Sequence, residues 1–258
     1  MKKLAILASS LVLLILLATG CMKPETQKNP GPKPDPKPVV EEQKTPLEVL
    51  KETQKKIATI QGYKFTRMSM EKGYTDSYNN TESGVEQLNP QVAHFTNSKN
   101  NEYYYDKQNV YMKKDGQWFK KANADGKVLV SVLFTNNVEF LLQNLGTKDE
   151  VPGITVTKKA DEYIVTVDYL VFKDPEMSDA DFTKSKTESK IRKTELVIDA
   201  NSFEPKKYMF NYESMDGKKL RSVDMDLASY ITPVVIPADV MQNAQPAPTT
   251  PTTPNSTT

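Results

Sequence analysis

From Tyr63 to Tyr230, apolar side chains return at every second position in one short run after another, and clusters rich in Asn, Asp, Gly and Pro separate the runs. A period of two belongs to a half-buried β-strand, whose successive side chains point to opposite faces. Short connections restrict the pairing to antiparallel neighbours, because parallel strands need a crossover of about a dozen residues or more. Tyr63-Lys64-Phe65 opens a strand that runs through Met68 and Met70, and Tyr78 to Leu88, Gln91 to Thr96, Glu102 to Asp106 and Val110 to Lys113 follow. Asp115-Gly116, between Tyr111-Met112 and Trp118-Phe119, is a tight-hairpin signal. Later runs cover Ile154 to Thr157, Tyr163 to Phe172, Ile191 to Asp199, Lys206 to Glu213 and Lys218 to Tyr230, with turns at Ala160-Asp161, Asn201 to Pro205 and Asp216-Gly217. The pattern predicts an antiparallel meander.

Helical spacing occurs at three places. Thr45-Pro46-Leu47-Glu48 is a capping box with proline at the first helical position. Leu47, Leu50, Ile57 and Ile60 then form one stripe, and Gly62 is expected to close the helix in a left-handed cap. Val128 to Leu145 predicts two short, unusually apolar helices, the second capped by Asn136 or Asn137 and ended by Gly146. A helix apolar nearly all round is buried on more than one side. Asp174 to Ser185 is expected to be an acidic loop with one short helix.

The two ends of the chain differ from its middle. Lys2 and Lys3 precede an apolar run from Leu4 to Leu17, and Ala18, Thr19 and Gly20 lead to Cys21, the only cysteine. This is the order of a secretory signal. The run is shorter than the ~20 apolar residues that span a bilayer. Residues 21–44 carry Pro24, Pro30, Pro32, Pro34, Pro36 and Pro38, a polyproline-type linker reaching up to about 70 Å. Residues 241–258 are rich in Pro, Thr, Ala and Gln and are expected to form a disordered tail, leaving 45–240 as the folded domain.

Composition narrows the chemistry. Without Lys2 and Lys3 there are 32 basic residues against 33 acidic ones, so the basic footprint of a nucleic-acid binder is missing. His94 is the only histidine and lies in a strand, which argues against a Ser-His or Cys-His site and against zinc. No phosphate-cradling glycine loop is present. Asp174, Glu176, Asp179 and Asp181 lack the EF-hand order of ligands and read as loop acids or a helix start. The expectation is a protein that is not an enzyme and that uses no cofactor or metal.

Leu17-Ala18-Thr19-Gly20-Cys21 resembles a bacterial lipobox, with Ala18 where leucine is commonest. By that resemblance residues 1–20 are removed and Cys21 carries a diacylglycerol, anchoring the protein on the extracytoplasmic side of the cell membrane. Three further stretches extend the likeness: Thr45 to Glu48 leading to Gly62-Tyr63; Tyr111 to Lys113 with Asp115-Gly116 and Trp118; and Glu195 to Asp199 with Ser202, Pro205 and Lys206. With these the chain is similar over residues 45–240 to the superfamily of LolA-like localisation factors and mycobacterial lipoprotein lipid carriers, most of all to its Gram-positive lipoproteins. The resemblance implies an α+β fold: a single large curved antiparallel sheet, a half-barrel, with helices on its concave face. It also implies a cavity for a lipid or other hydrophobic molecule between sheet and helices. Leu129, Val132, Leu133, Phe140 and Leu141 are expected to form its lid, with Met68, Met70, Met112, Met209 and Met225 beneath, since methionine suits surfaces that accept variable apolar partners. The alternative is an envelope lipoprotein whose helices merely plug the half-barrel.

Overall fold

A computed structural model describes residues 44–74, 77–123 and 130–247. The signal segment, Cys21, the proline-rich linker, Leu129 and the sequence after Ala247 lie outside the described residues.

Helix α1 (Pro46–Ile57) starts at the expected capping box: the Glu48 amide donates to Thr45 Oγ1, and the Thr45 amide to the Glu48 carboxylate. Six strands follow: β1 (Gly62–Lys72), β2 (Tyr78–Gln87), β3 (Val92–Asn97), β4 (Glu102–Asp106), β5 (Asn109–Lys114) and β6 (Gln117–Ala122). Helix α2 (Val130–Leu145) interrupts them. The chain continues through β7 (Ile154–Lys159), β8 (Glu162–Asp168), α3 (Asp179–Glu188), β9 (Ser189–Asp199), β10 (Pro205–Ser214), β11 (Leu220–Ser229), α4 (Ala238–Asn243) and β12 (Gln245–Pro246). The strands form one sheet in the order β12-β6-β5-β4-β3-β2-β1-β11-β10-β9-β8-β7, antiparallel except where β12 joins β6.

Helices α1 and α2 pack on each other and on the face that carries Tyr63, Phe65, Val165, Leu196 and Met225. One apolar cluster joins them to every strand from Phe95 of β3 to Ile154 of β7, apart from β2. Eight flat strands would span about 34 Å, and two helices about 10 Å wide cover little more than half of that. The sheet therefore curls around the helix pair, and the helices lie on its concave, inner face.

Several local expectations need correction. Helix α1 ends at Ala58, and Gly62 opens β1 instead of capping the helix. A Cβ on Gly62 would stand 2.3 Å from the Glu86 carbonyl oxygen, so glycine is needed there for close approach and not for a left-handed turn. Residues 130–145 form one helix, not two. Asn137 turns its amide back to the Leu133 carbonyl at 2.7 Å and so leaves the helix unbroken; Gly146, at φ +59°, ends it. Strand β8 stops at Asp168, whose carbonyl accepts from the amides of Val171 and Phe172 and turns the chain. Residues 241–247 are ordered, in α4, β12 and the pairing of Ala247 with β6, where a tail had been expected. The acids at 174–181 behave as a loop and helix start: Ser178 caps α3, and Asp179 pairs with Lys173 at 2.5 Å.

A cleft on the inner face of β3 to β6

The helices do not reach the whole inner face. In the half formed by β7 to β11 and β1 the space beneath α2 is filled: Phe134, Val138, Leu141 and Leu145 are at most 1% exposed, and Met225, Leu196 and Val165 are fully buried opposite them. Beyond β2 the inner face continues as an aromatic row. The antiparallel register places Leu227, Phe65, Gly84, Phe95, Tyr103, Met112 and Phe119 side by side from β11 to β6. Gly84 leaves a gap in this row: a Cβ there would stand 2.4 Å from that of Phe95. Across the gap the rings of Phe65 and Phe95 meet at 6.1 Å. Phe95 stacks in turn on Tyr103 at 4.9 Å and Tyr105 at 5.2 Å.

Above these rings lies an open cleft of about 710 Å³. Phe95, Tyr103, Tyr105, Val110, Met112 and Phe119 line it, Glu82, Lys114, Asp115, Gln117 and Lys121 edge it, and Ala247 stands in its wall. Its volume falls within the usual range for small-molecule sites, and its mixture of apolar surface with a few polar groups is the usual one. Along β5 and β6 the apolar middle, Met112 beside Phe119, has Lys114 beyond one end and Lys121 beyond the other. Among the described residues neither lysine has a carboxylate partner, whereas Glu82 is held by Arg67 and by the Asn80 amide.

Burial sets the protonation of two inward-facing phenols, Tyr105 of the cleft and Tyr63 of the core. The Tyr105 hydroxyl is pushed up to about 12, first by desolvation and then by the Glu82 charge. Tyr63 is raised as well, again first by burial and then by the carboxylate of Glu86, which lies fully buried beside it in the register. Both hydroxyls remain neutral hydrogen-bond donors at neutral pH.

Of the described residues expected to line a cavity, Met112 alone borders this cleft. Met68 and Met70 point to the outer face, 48% and 37% exposed, because the parity that buries Tyr63 and Phe65 turns even-numbered residues of β1 the other way. Met209 shares that outer face, opposite Asp224 and Glu195. Met225 and Leu141 are core residues with no exposed surface. Leu133 and Phe140 are partly buried against the same core, and Val132 is half-buried. Phe140 meets Phe172 edge-on at 6.0 Å and borders a second groove of about 390 Å³ with Tyr169, Arg192, Tyr208 and Phe210. The lid over strand methionines is therefore not what the structure contains. The aromatic residues that do line the cleft are Phe119, Phe95 and two of the Tyr103-Tyr104-Tyr105 run, whose three successive tyrosines hide the alternation that would reveal the facing pair.

His94 lies on the outer face. It stacks on Tyr104 at 4.3 Å, and Nε2 stands 3.1 Å from Glu102, which also holds Lys113. Tyr104, Tyr111, Ile236 and Val240 form a separate apolar cluster there beneath α4. Among the described residues no group of three or more His, Cys, Asp or Glu side chains is placed to hold a metal ion, and no helix is long and apolar enough to cross a membrane.

No protein-family model matches the chain, and no curated protein matches it. Among solved structures it is similar to the lipoprotein LppX of Mycobacterium tuberculosis, with 11% identity and a TM-score of 0.43 over 74% of this chain and 97% of that one. It is also similar to LprF of Mycobacterium bovis (13% identity, TM-score 0.36, 74% and 95% covered) and to a LolA superfamily protein of Nitrosomonas europaea (10%, 0.29, 73% and 95%). At such identities and scores, function has to be read from this chain's own side chains.

Proposed function

We propose that this protein is a membrane-anchored, non-enzymatic lipoprotein that holds an apolar or amphipathic molecule on the inner face of β3 to β6. The observation that carries the reading is the aromatic cleft left uncovered by the helices, with a lysine beyond each end of its apolar middle that has no carboxylate partner among the described residues. A hydrocarbon chain moved from water onto such a surface gains ~0.8 kcal/mol per buried CH₂, and a lysine suits a polar end group. The solitary His94 stands on the opposite face, which favours binding over nucleophilic chemistry in the cleft. The anchor is Cys21, lipidated after removal of residues 1–20, with residues 21–44 as the tether.

Native mass spectrometry of the mature chain carrying Cys21→Ser tests the ligand. Co-purifying lipid, or uptake of the amphipathic, anionic dye 1-anilinonaphthalene-8-sulfonate with a dissociation constant in the micromolar range, is the expected result. Neither being found would leave the second reading, a structural envelope lipoprotein, which the solid packing beneath α2 favours. In cells Cys21→Ser is expected to release the protein from the membrane fraction; unchanged retention would remove the anchor from the proposal.

A further inference from the structure

The charges around the cleft are unevenly matched. Two residues along each strand from the row Phe95, Tyr103, Met112 and Phe119, one direction leads to Asn97, Lys114 and Gln117, and the other to Ala93, Tyr105, Val110 and Lys121. On the first side Lys114 has acids for company: Asp115 follows it directly, and Glu82, held by Arg67, pairs with Asn97 in the register. On the second side Lys121 is the one charged residue that lines the cleft. Of the acids in β2 to β6, two share that end of the sheet, and both are engaged elsewhere. Asp106 accepts from the amides of Gln108 at 2.8 Å and Asn109 at 2.6 Å. Glu86 lies fully buried beside Tyr63, four strand spacings from Lys121, or about 19 Å. An ammonium at the rim of an aromatic floor favours an anion, because opposite charges attract more strongly beside apolar surface than in bulk water. A hydrogen bond between two ionised groups is also roughly twice as strong as a neutral one. From Phe119 next to Lys121, the ring-lined floor runs across the strands to Phe95, three spacings or about 14 Å away.

We infer that the cleft selects amphiphiles with an acidic head group, which is seated at Lys121 while the hydrocarbon lies across the strands over Phe119, Met112, Tyr103 and Phe95. Lys121 is then a specificity-determining residue. The opposite orientation would set the acid beside Asp115 and Glu82, where like charge repels it. The inference rests on the apolar-ligand reading and adds to it the charge and the direction of the guest.

Isothermal titration of the mature chain carrying Cys21→Ser, freed of co-purified lipid, tests this with lauroyl-lysophosphatidylglycerol and lauroyl-lysophosphatidylcholine. The two have the same hydrocarbon, with and without net negative charge, and both are used below their micelle concentrations. The anionic form should bind about fivefold more tightly at low ionic strength, and the gap should narrow as salt is added. Lys121→Gln should close the gap. Lys120→Gln removes the same charge one residue away, from a side chain that lies over the Tyr111 ring on the outer face, and should leave the gap as it is. Equal affinities, a preference that survives Lys121→Gln, or an equal loss in Lys120→Gln or Lys114→Gln would overturn the inference while leaving an apolar guest in the cleft. Glycerol 3-phosphate, a head group without a chain, should not bind; binding as tight as that of the lysolipid would make this a site for free anions and overturn the inference. If neither lysolipid binds, the apolar-ligand reading itself falls, and the acidic head group with it.

Discussion

The two halves of the sheet are built from the same alternating pattern and end differently. From β7 through β11 to β1, inward positions are occupied by Val165, Val167, Leu196, Ile198, Met225 and Phe65, and two helices press on them until nothing is exposed. From β3 to β6 the inward positions mix aromatic rings with Val110, Met112 and polar or charged residues, the strands are five or six residues long, and the helix pair stops short of them. On that side α4 covers the outer face instead. Aliphatic inner faces are sealed by a helix, whereas an aromatic face with lysines beyond both ends stays open. On the proposed reading, stability is concentrated in the first half and recognition in the second.

The sharpest way to break this division is Leu141→Ala. Leu141 is fully buried beneath α2, and its truncation should lower unfolding free energy by about 3 kcal/mol in urea titrations; a loss under 1 kcal/mol would mean that the helix-covered half is not solidly packed. Gly84→Ala comes next. Its Cβ would stand 2.2 Å from the His94 carbonyl oxygen and 2.4 Å from Phe95 Cβ, so about 2 kcal/mol should be lost through forced backbone movement. Phe119→Ala should separate the halves, costing little stability but weakening dye binding about tenfold, or 1.4 kcal/mol. If it destabilises as much as Leu141→Ala, the cleft is core after all.

The smallest effect is expected from acid. Asp199 closes β9, where the Ser202 amide donates to its carboxylate, Lys206 pairs with it at 3.0 Å, and the Asn201 amide adds a third contact. These hold its carboxyl well below the usual carboxylate range. A depressed value stabilises the fold above the unfolded-chain pKa of about 3.9, and that contribution disappears as pH falls through the folded-state value. The pair is near the surface, so screening keeps the contribution within about 1 kcal/mol. Melting temperature followed from pH 6 to pH 2 should fall less steeply in Asp199→Asn than in the parent; identical slopes would remove Asp199 from the acid response.

Most strands were legible because alternation and turn residues are local properties. Glu102–Asp106 matches its expected bounds, and Asp115-Gly116 adopts the left-handed conformations that a tight hairpin needs, at φ +51° and +80°. What failed was non-local. Asn137 is compatible with a helix start or a helix interior, and only its bond to Leu133 decides. Gly62 serves a close approach to β2 that no single stretch of sequence displays. Ala238 to Ala247 carries too few apolar residues to advertise a helix, yet Val240 finds the Tyr104 and Tyr111 rings. For the methionines the missing step was parity: once Tyr63 and Phe65 face inward, Met68 and Met70 face outward whatever their affinity for lipid.

Gly84 carries one more consequence. Because it lacks a side chain, Phe95 leans across β2 to touch Phe65, and an otherwise independent group of rings is stapled to the hydrophobic interior. The floor on which a guest molecule would rest is thus tied to the protein's centre, although neither α1 nor α2 roofs it. A platform of this kind reorganises little when something settles on it, so the free energy of contact is not spent on ordering the receptor.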